Sequence, residues 1–375
     1  MAEQFNNKDY GDYFSAVEKS IEKNNSIEEP KKFENDLKLT KKKHPQIAKK
    51  AIRVRAWVYM VPIMLVIAII LTIIFTSDEG DVPQMLGDTV VNSATSEVKA
   101  EEKPQVNYYA EYDDATAVPP SSIAAPNVII VNCDTNKVVA ARNASERCYP
   151  ASTTKVMTIL TACDYITDYN KTFTFSYEVT DPFYNQNATV AGYADGEAVN
   201  MTDLIYGAIL PSGADATAGL AIAIAGNEEE FAKLMNKKAE QLGLKNTHFT
   251  NASGLFDKNH YTTPEDMAII VREAMKNELC REVLSTYQYT TTPTLQHPDG
   301  IPLTSTMFSK MYGTEPEGSD ILGGKTGFVN ESGHCIASFG KSETTDTEYV
   351  CVTFNGTGGY AVVYDQINLY TGYAK

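Results

Sequence analysis

The chain has 375 residues, a net charge of −16 at pH 7, six cysteines and five histidines. That length suits one large domain or two modest ones. Beyond residue 55 the net charge is −20, which excludes a nucleic-acid binder, because such proteins need a positive footprint. No Cys-x-x-Cys and no histidine pair at helical spacing occurs, so neither a metal centre nor any other cofactor is expected.

Residues 1–55 are polar, with 13 Lys/Arg against 9 Asp/Glu, and read as a largely disordered tail. Basic residues crowd its end, from Lys41 to Arg55. Residues 56–76 then run without a charge. About 20 apolar residues in helical form cross a hydrocarbon core. A single transmembrane helix in contact with membrane lipid is therefore expected over 56–76. Trp57 and Tyr59 suit the interface, and the basic cluster places the N-terminus in the cytoplasm. The tail is too long for the charged region of a cleaved signal peptide. It also leaves room for a cytoplasmic partner, whose nature the sequence does not state. Residues 77–120 carry acids with Pro83, Pro104, Pro119 and Pro120, and read as a flexible acidic linker on the outer side. The expected location is thus the cell membrane, with one span and the folded domain, 121–375, outside.

That domain opens with a hairpin. Residues 128–133 and 138–142 are apolar strands, and Asp134-Thr135-Asn136-Lys137 supplies the turn. Ser152 precedes a helical run. Residues 171–180 read as extended, and 202–210 as a helix cut by Pro211-Ser212-Gly213. Alanine-rich 214–225 is a buried helix; 227–242 is an amphipathic one with Asn227 as cap. Pro264 stands at the first position of another helix, which runs to about Asn277. Strand character returns at 287–292, 321–328, 334–339 and 349–354, and 361–373 is helical. Strands at both ends around a helical middle predict an α+β fold: an antiparallel sheet flanked by helices, with an inserted helical subdomain. Cys335 and Cys351 fall in successive strands, so a bridge between them stays open beside the reading of both as small buried hydrophobes.

The chemistry centres on Ser152-Thr153-Thr154-Lys155. On a helix, residues three apart share a face, so a serine and a lysine at this spacing form a nucleophile with its own base. Ser-x-x-Lys also occurs at Ser20, Ser96 and Ser338, but only Ser152 opens an apolar helical run. Taken alone, Ser152 is equally well a helix cap. Two further motifs follow in order, Ser212-Gly213-Ala214 and Lys325-Thr326-Gly327, and the second of these occurs once. Singly each reads as a helix break or a turn; together they mark penicillin-recognising serine enzymes.

Residues 121–375 resemble the low-molecular-mass penicillin-binding proteins, the serine D-Ala-D-Ala carboxypeptidases. The likeness extends to Met235-Asn236, Leu242-Gly243, Asn251-Ala252-Ser253-Gly254, His260-Tyr261-Thr262-Thr263 and Asp266-Met267-Ala268. It implies that Ser152 is acylated, Lys155 takes its proton, and Ser212 relays a proton to the leaving amine. Lys325, Thr326 and Gly327 would bind substrate, with Thr326 on its terminal carboxylate. The N–H groups of Ser152 and Phe328 would form the oxyanion hole. The expected partners are the peptidoglycan stem peptide and β-lactams. His260, the 251–254 segment and Asp215 read as structural, Asp215 as a helix cap. One position departs from the pattern: Ala214 stands where the family has asparagine. An inactive binding module and a β-lactamase-like hydrolase are the alternatives. The second needs a deacylating glutamate, and no Glu-x-x-Leu-Asn follows Ser212.

Overall fold

The computed structural model describes residues 107–311 and 313–375. The expected tail, the 56–76 span and the linker up to 106 lie outside the described residues. Among those described, no helix is long and apolar enough to cross a membrane.

The core is one five-stranded antiparallel sheet. Strand β1 (Asn127–Asn132) pairs with β2 (Lys137–Arg142) on one side and with β9 (Glu348–Gly356) on the other. Strands β8 (Gly333–Ser342) and β7 (Ser319–Val329) complete the order β2-β1-β9-β8-β7. The first and last strands of the domain therefore pair in mid-sheet, and β7 is left as an edge that faces the helical insertion. Each strand alternates its side chains between two faces. One face buries Ile129, Val131, Cys335, Ala337, Phe339, Val350 and Val352 against helices of the insertion. The other buries Val128, Ile130, Tyr349 and Cys351 against α9 (Ala361–Tyr373). Asp365 of α9 accepts the N–H groups of Ala124 and Ala125 at 2.8 Å each, which ties the entry to β1 onto that helix.

This register settles the open cysteine pairing. Cys335 and Cys351 lie on opposite faces of the sheet, and all six cysteines are free.

Between β2 and β7 the chain builds α1 (Thr154–Tyr165), α2 (Tyr177–Asn185), α3 (Met201–Ile209), α4 (Ala214–Ala225), α5 (Glu228–Gln241), α6 (Pro264–Lys276), α7 (Glu278–Ser285) and the single turn α8 (Phe308–Met311). Two small two-stranded antiparallel sheets, β3 (Thr172–Thr174) with β4 (Ala198–Asn200) and β5 (Gln288–Thr290) with β6 (Pro302–Thr304), complete it. Asn227 and Thr263 cap α5 and α6 by accepting the N–H groups of Glu230 and Asp266.

Three expectations change. Of the stretch 171–180 expected as extended, 172–174 form β3, but 177–180 open helix α2, because Phe183 is buried against Ala214 and Ala218 of α4. Helix α7 continues the chain past Asn277, whose side chain accepts the Cys280 N–H and starts a second helix where one had been expected to end. The folded unit also begins earlier than Ser121. Tyr109 donates to Asp266, Tyr112 donates to Glu265 at 2.6 Å, and Glu111 and Ala117 bridge to Lys137 and Ala140 of β2. Aromatic contacts pull the last residues of the expected linker onto α6.

Candidate active site

Ser152 sits in a 3₁₀ turn, Ala151–Thr153, that runs directly into α1. Residues three apart eclipse in such a turn. Lys155, in the first turn of α1, thus reaches back and donates to Ser152 Oγ at 3.0 Å. Its Nζ also donates to the Ser253 carbonyl at 2.6 Å, and only 1% of the residue is exposed. Burial favours the neutral amine and lowers the Lys155 pKa to about 7, with Asp215 and Glu228 opposing the shift.

The Ser253 carbonyl is held in place by its own loop. Asn251 Oδ1 accepts the Gly254 N–H at 2.8 Å, and its Nδ2 donates to the Leu255 carbonyl at 3.0 Å. Gly254 has φ +80°, and a Cβ there would lie 1.9 Å from the Ala151 carbonyl oxygen. Only glycine lets this loop lie against the turn that carries Ser152. His260 supports the same corner from behind: its Nε2 lies 2.8 Å from Thr154 Oγ1, and burial drives its pKa down to about 3. It is a neutral packing group away from the cleft.

Ser212 stands between α3 and α4 with φ +69°, a strained conformation for a serine. Backbone bonds fix it from both sides, from Gly213 N–H to the Gly207 carbonyl at 2.9 Å and from Ala214 N–H to the Thr189 carbonyl at 2.8 Å. Asp215, expected as a helix cap, instead lies within the first turn of α4, whose cap is Gly213. Its carboxylate accepts the N–H groups of Ala191, Gly192 and Ala216 at 2.7, 2.9 and 2.8 Å, and so pins the strap that passes Ser212. Ala214 is buried with Phe183 and Ala218 in an apolar patch, so that wall of the site lacks a third polar side chain.

Edge strand β7 closes the opposite side. A Cβ on Gly327 would lie 2.9 Å from the Ser152 nitrogen and 3.0 Å from the Pro150 carbonyl oxygen. The strand therefore presses onto the serine's turn at a residue with no side chain. Thr326 Oγ1 meets Thr306 Oγ1 at 2.8 Å. Lys325 is buried beneath the strand and donates to the Thr326 carbonyl at 2.9 Å. Desolvation first, then Lys155 and Lys310, push its pKa well below the ordinary lysine value. Phe328 is half-exposed and stacks on His334, ring centres 4.4 Å apart.

Ser152, Lys155, Ser212, Thr326, Gly327 and Phe328 line a single cleft of about 850 Å³. Lys325 lies just below its floor. The same cleft contains Thr306 and Lys310, which the sequence did not single out, and Ser253, whose segment was expected to be structural. Ser253 acts through a backbone carbonyl, which no residue type reveals. Lys310 is a lone lysine in α8. It is half-buried, its pKa is lowered by desolvation, and among the described residues it has no carboxylate partner.

The family model described as D-alanyl-D-alanine carboxypeptidase (peptidase S11) matches residues 114–357. The chain belongs to this family. Among curated relatives, the D-alanyl-D-alanine carboxypeptidase DacF of Bacillus subtilis (strain 168) is 30% identical over 217 residues, 58% of this chain and 54% of DacF. The D-alanyl-D-alanine carboxypeptidase of Streptomyces sp. (strain K15) is 31% identical over 231 residues, 59% of this chain and 78% of that protein. The match thus spans about half the length of DacF. The crystal structure of the Streptomyces K15 DD-transpeptidase superposes with a TM-score of 0.60 at 27% identity, covering 68% of this chain and 99% of that one. Penicillin-binding protein 5 from Haemophilus influenzae gives a TM-score of 0.58 at 25% identity, covering 67% and 71%. The sheet and helical insertion are therefore those of a penicillin-binding serine peptidase.

Proposed function

We propose that the protein is a membrane-anchored serine D-Ala-D-Ala carboxypeptidase that removes the terminal D-alanine from peptidoglycan stem peptides. One observation carries this reading: Lys155 is fully buried, hydrogen-bonded to Ser152 Oγ at 3.0 Å, with its pKa brought down to about 7. A buried lysine that is half neutral at pH 7 is a general base at its working point.

Neutral Lys155 removes the Ser152 hydroxyl proton as Oγ attacks the carbonyl of the penultimate residue. The N–H groups of Ser152 and Phe328 receive the oxyanion, each such donor typically contributing about 3 kcal/mol. Ser212 passes a proton to the departing D-alanine amine, which leaves Ser152 acylated. Water then attacks the ester, with Lys155 again taking the proton. The terminal carboxylate lies toward Thr326 and Thr306, with Lys310 as the nearby cation. Lys325 holds a positive or donor environment under the strand. β-Lactams acylate the same serine.

The uncharged stretch 56–76 after a basic cluster supports a single membrane anchor, with the N-terminus cytoplasmic and the domain outside. Protease protection of the tail in sealed cells tests that topology, and cleavage of residues 1–55 from outside would reverse it.

The activity is tested by an intact-mass time course of the full chain with benzylpenicillin beside Ser152→Ala, followed by D-alanine release from a peptide ending in D-Ala-D-Ala. A persistent adduct on the wild type alone, with D-alanine release, is expected. An adduct that disappears as the drug is hydrolysed indicates a lactamase. A folded protein that forms no adduct and releases no D-alanine is a binding module.

A further inference from the structure

Two thiols outside the cleft stand in contact. Cys163, in the last turn of α1, and Cys280, in the first turn of α7, bring their Sγ atoms to 3.6 Å across 117 residues of sequence. Among the described residues no other two cysteines are hydrogen-bonded to each other. Cys148 and Cys335 turn their sulfurs to polar and backbone groups instead, at 3.5 Å to Asn355 Nδ2 and 3.8 Å to the Tyr149 carbonyl. Cys280 is fully buried, while Cys163 is partly exposed.

We propose that Cys163 and Cys280 form a disulfide, with Cys163 as the attacking thiol and Cys280 as the resolving one. The oxidant is a disulfide of low molecular mass. The Cys163 thiolate attacks one of its sulfurs and expels the first small thiol, leaving a mixed disulfide on Cys163. Cys280 Sγ then attacks Cys163 Sγ and expels the second. Two protein S–H bonds become one S–S bond, and the two electrons and two protons leave in the two small thiols. Contact must shorten from 3.6 Å to about 2.05 Å. The surroundings suit the assigned order. The Cys280 thiol hydrogen-bonds to Cys163 and lowers its pKa, helped by the Tyr169 hydroxyl and Lys238 and opposed by burial and Asp164. The same sulfur contact first, then burial, raise the pKa of Cys280.

The position of the pair gives the bond a consequence. Helix α1 carries Lys155 in its first turn, two turns before Cys163. Helix α7 packs on β7, where a Cβ on Gly323 would lie 2.8 Å from the Leu284 carbonyl oxygen, two residues before Lys325. A bond between α1 and α7 thus ties the helix of the nucleophile's base to the strand on the other side of the cleft. It also closes a long loop in the unfolded chain, the condition in which cross-links stabilise most. The supply of oxidant in the cell rests on the outward location proposed above; the thiol pair does not.

The test uses the purified full chain in defined ratios of oxidised and reduced glutathione. Oxidation is expected to remove two hydrogens from the mass, to leave four of the six cysteines alkylatable, and to link the Cys163 peptide to the Cys280 peptide on mapping. The unfolding midpoint should rise by roughly 10 °C, and the rise should vanish in Cys163→Ala and in Cys280→Ala. Mapping of the wild type needs neither variant to fold. Six alkylated cysteines after oxidation, a link between any other pair, or a lasting glutathione adduct on Cys163 would each overturn the proposal. Each would leave the reading of Ser152 untouched, because that is decided by the penicillin adduct.

Discussion

The pH dependence of acylation is the sharpest consequence of the Lys155 environment. An ordinary lysine, at 10.5, is neutral about once in three thousand at pH 7. Lys155, at about 7, is neutral about half the time. At about 1.4 kcal/mol for each tenfold change, that difference amounts to roughly 5 kcal/mol against the charged form. If neutral Lys155 is the base, the rate constant for acylation by benzylpenicillin should be level above about pH 8, half its maximum near pH 7, and fall tenfold per pH unit below about 6. Rapid-quench mass spectrometry from pH 5.5 to 9 measures it directly. Glu228 opposes the shift and keeps one carboxylate oxygen buried without a partner, so Glu228→Gln should move the limb to lower pH. The linkage to stability has a definite sign. The folded pKa is depressed, so below pH 7 burial of the charged lysine weighs on the fold in full, and the penalty disappears as pH rises from 7 towards 10.5. Lys155→Met should therefore raise the unfolding midpoint more at pH 6 than at pH 9 while it abolishes acylation. A rate that stays flat from pH 6 to 8.5, or a limb centred near 10, would refute the assignment of Lys155 as base.

Three further substitutions probe the frame around that pair. Gly254→Ala drives a Cβ to 1.9 Å from the Ala151 carbonyl oxygen, whereas Gly243→Ala, at φ +66°, meets open space. Denaturant unfolding should show the first to be worse by about 2 kcal/mol or more, with acylation lost; equal losses would mean that the contact is unimportant. Lys310→Met removes the unpaired cation of the cleft, so KM for a peptide with a free C-terminal carboxylate should rise about tenfold with kcat nearly unchanged. The same loss on a C-terminal amide would show that Lys310 does not meet the carboxylate. Asp215→Asn leaves a side chain unable to accept the three close N–H bonds at 2.7, 2.8 and 2.9 Å. Thermal and denaturant unfolding should show a loss of about 3 kcal/mol, and an unchanged midpoint would mean that the 191–193 strap is held by other contacts.

Much of this geometry is legible in the sequence wherever a local signal agrees with the fold. Helix α4 is recognisable from its run of alanines, α5 from its cap Asn227, α6 from Pro264 at its first position, and the three long strands from the strand character of 321–328, 334–339 and 349–354. Ser152 and Lys155 show themselves because the spacing that makes them chemically useful is a spacing in sequence. The signal fails where tertiary packing overrides it. Pro182 and the β-favouring Thr172–Thr180 stretch argue for an extended chain, yet Phe183 finds its pocket against α4 only if 177–185 coils. Asn277 ends one helix and caps the next, a double role that hydropathy cannot display. Within the site, the least legible partner is the Ser253 carbonyl. Any residue type could supply it, and its position depends on Asn251 and Gly254 rather than on Ser253 itself.

The cleft concentrates features that each weigh against stability. Ala151 and Ser212 hold φ of +47° and +69°, conformations that typically cost about 1–3 kcal/mol each outside glycine. Lys155 and Lys325 are both 1% exposed, and their Nζ atoms donate to the carbonyls of Ser253 and Thr326. A fold selected for stability alone would place hydrophobic side chains at both lysines and glycine at both turns. The sheet, Asp215 and the 251–254 loop instead spend their hydrogen bonds on keeping these four residues around one cavity. Ser152 alone would be an ordinary turn serine. What sets it apart is that the strained turn, the neutral amine and the pressing strand converge on its hydroxyl and its backbone nitrogen.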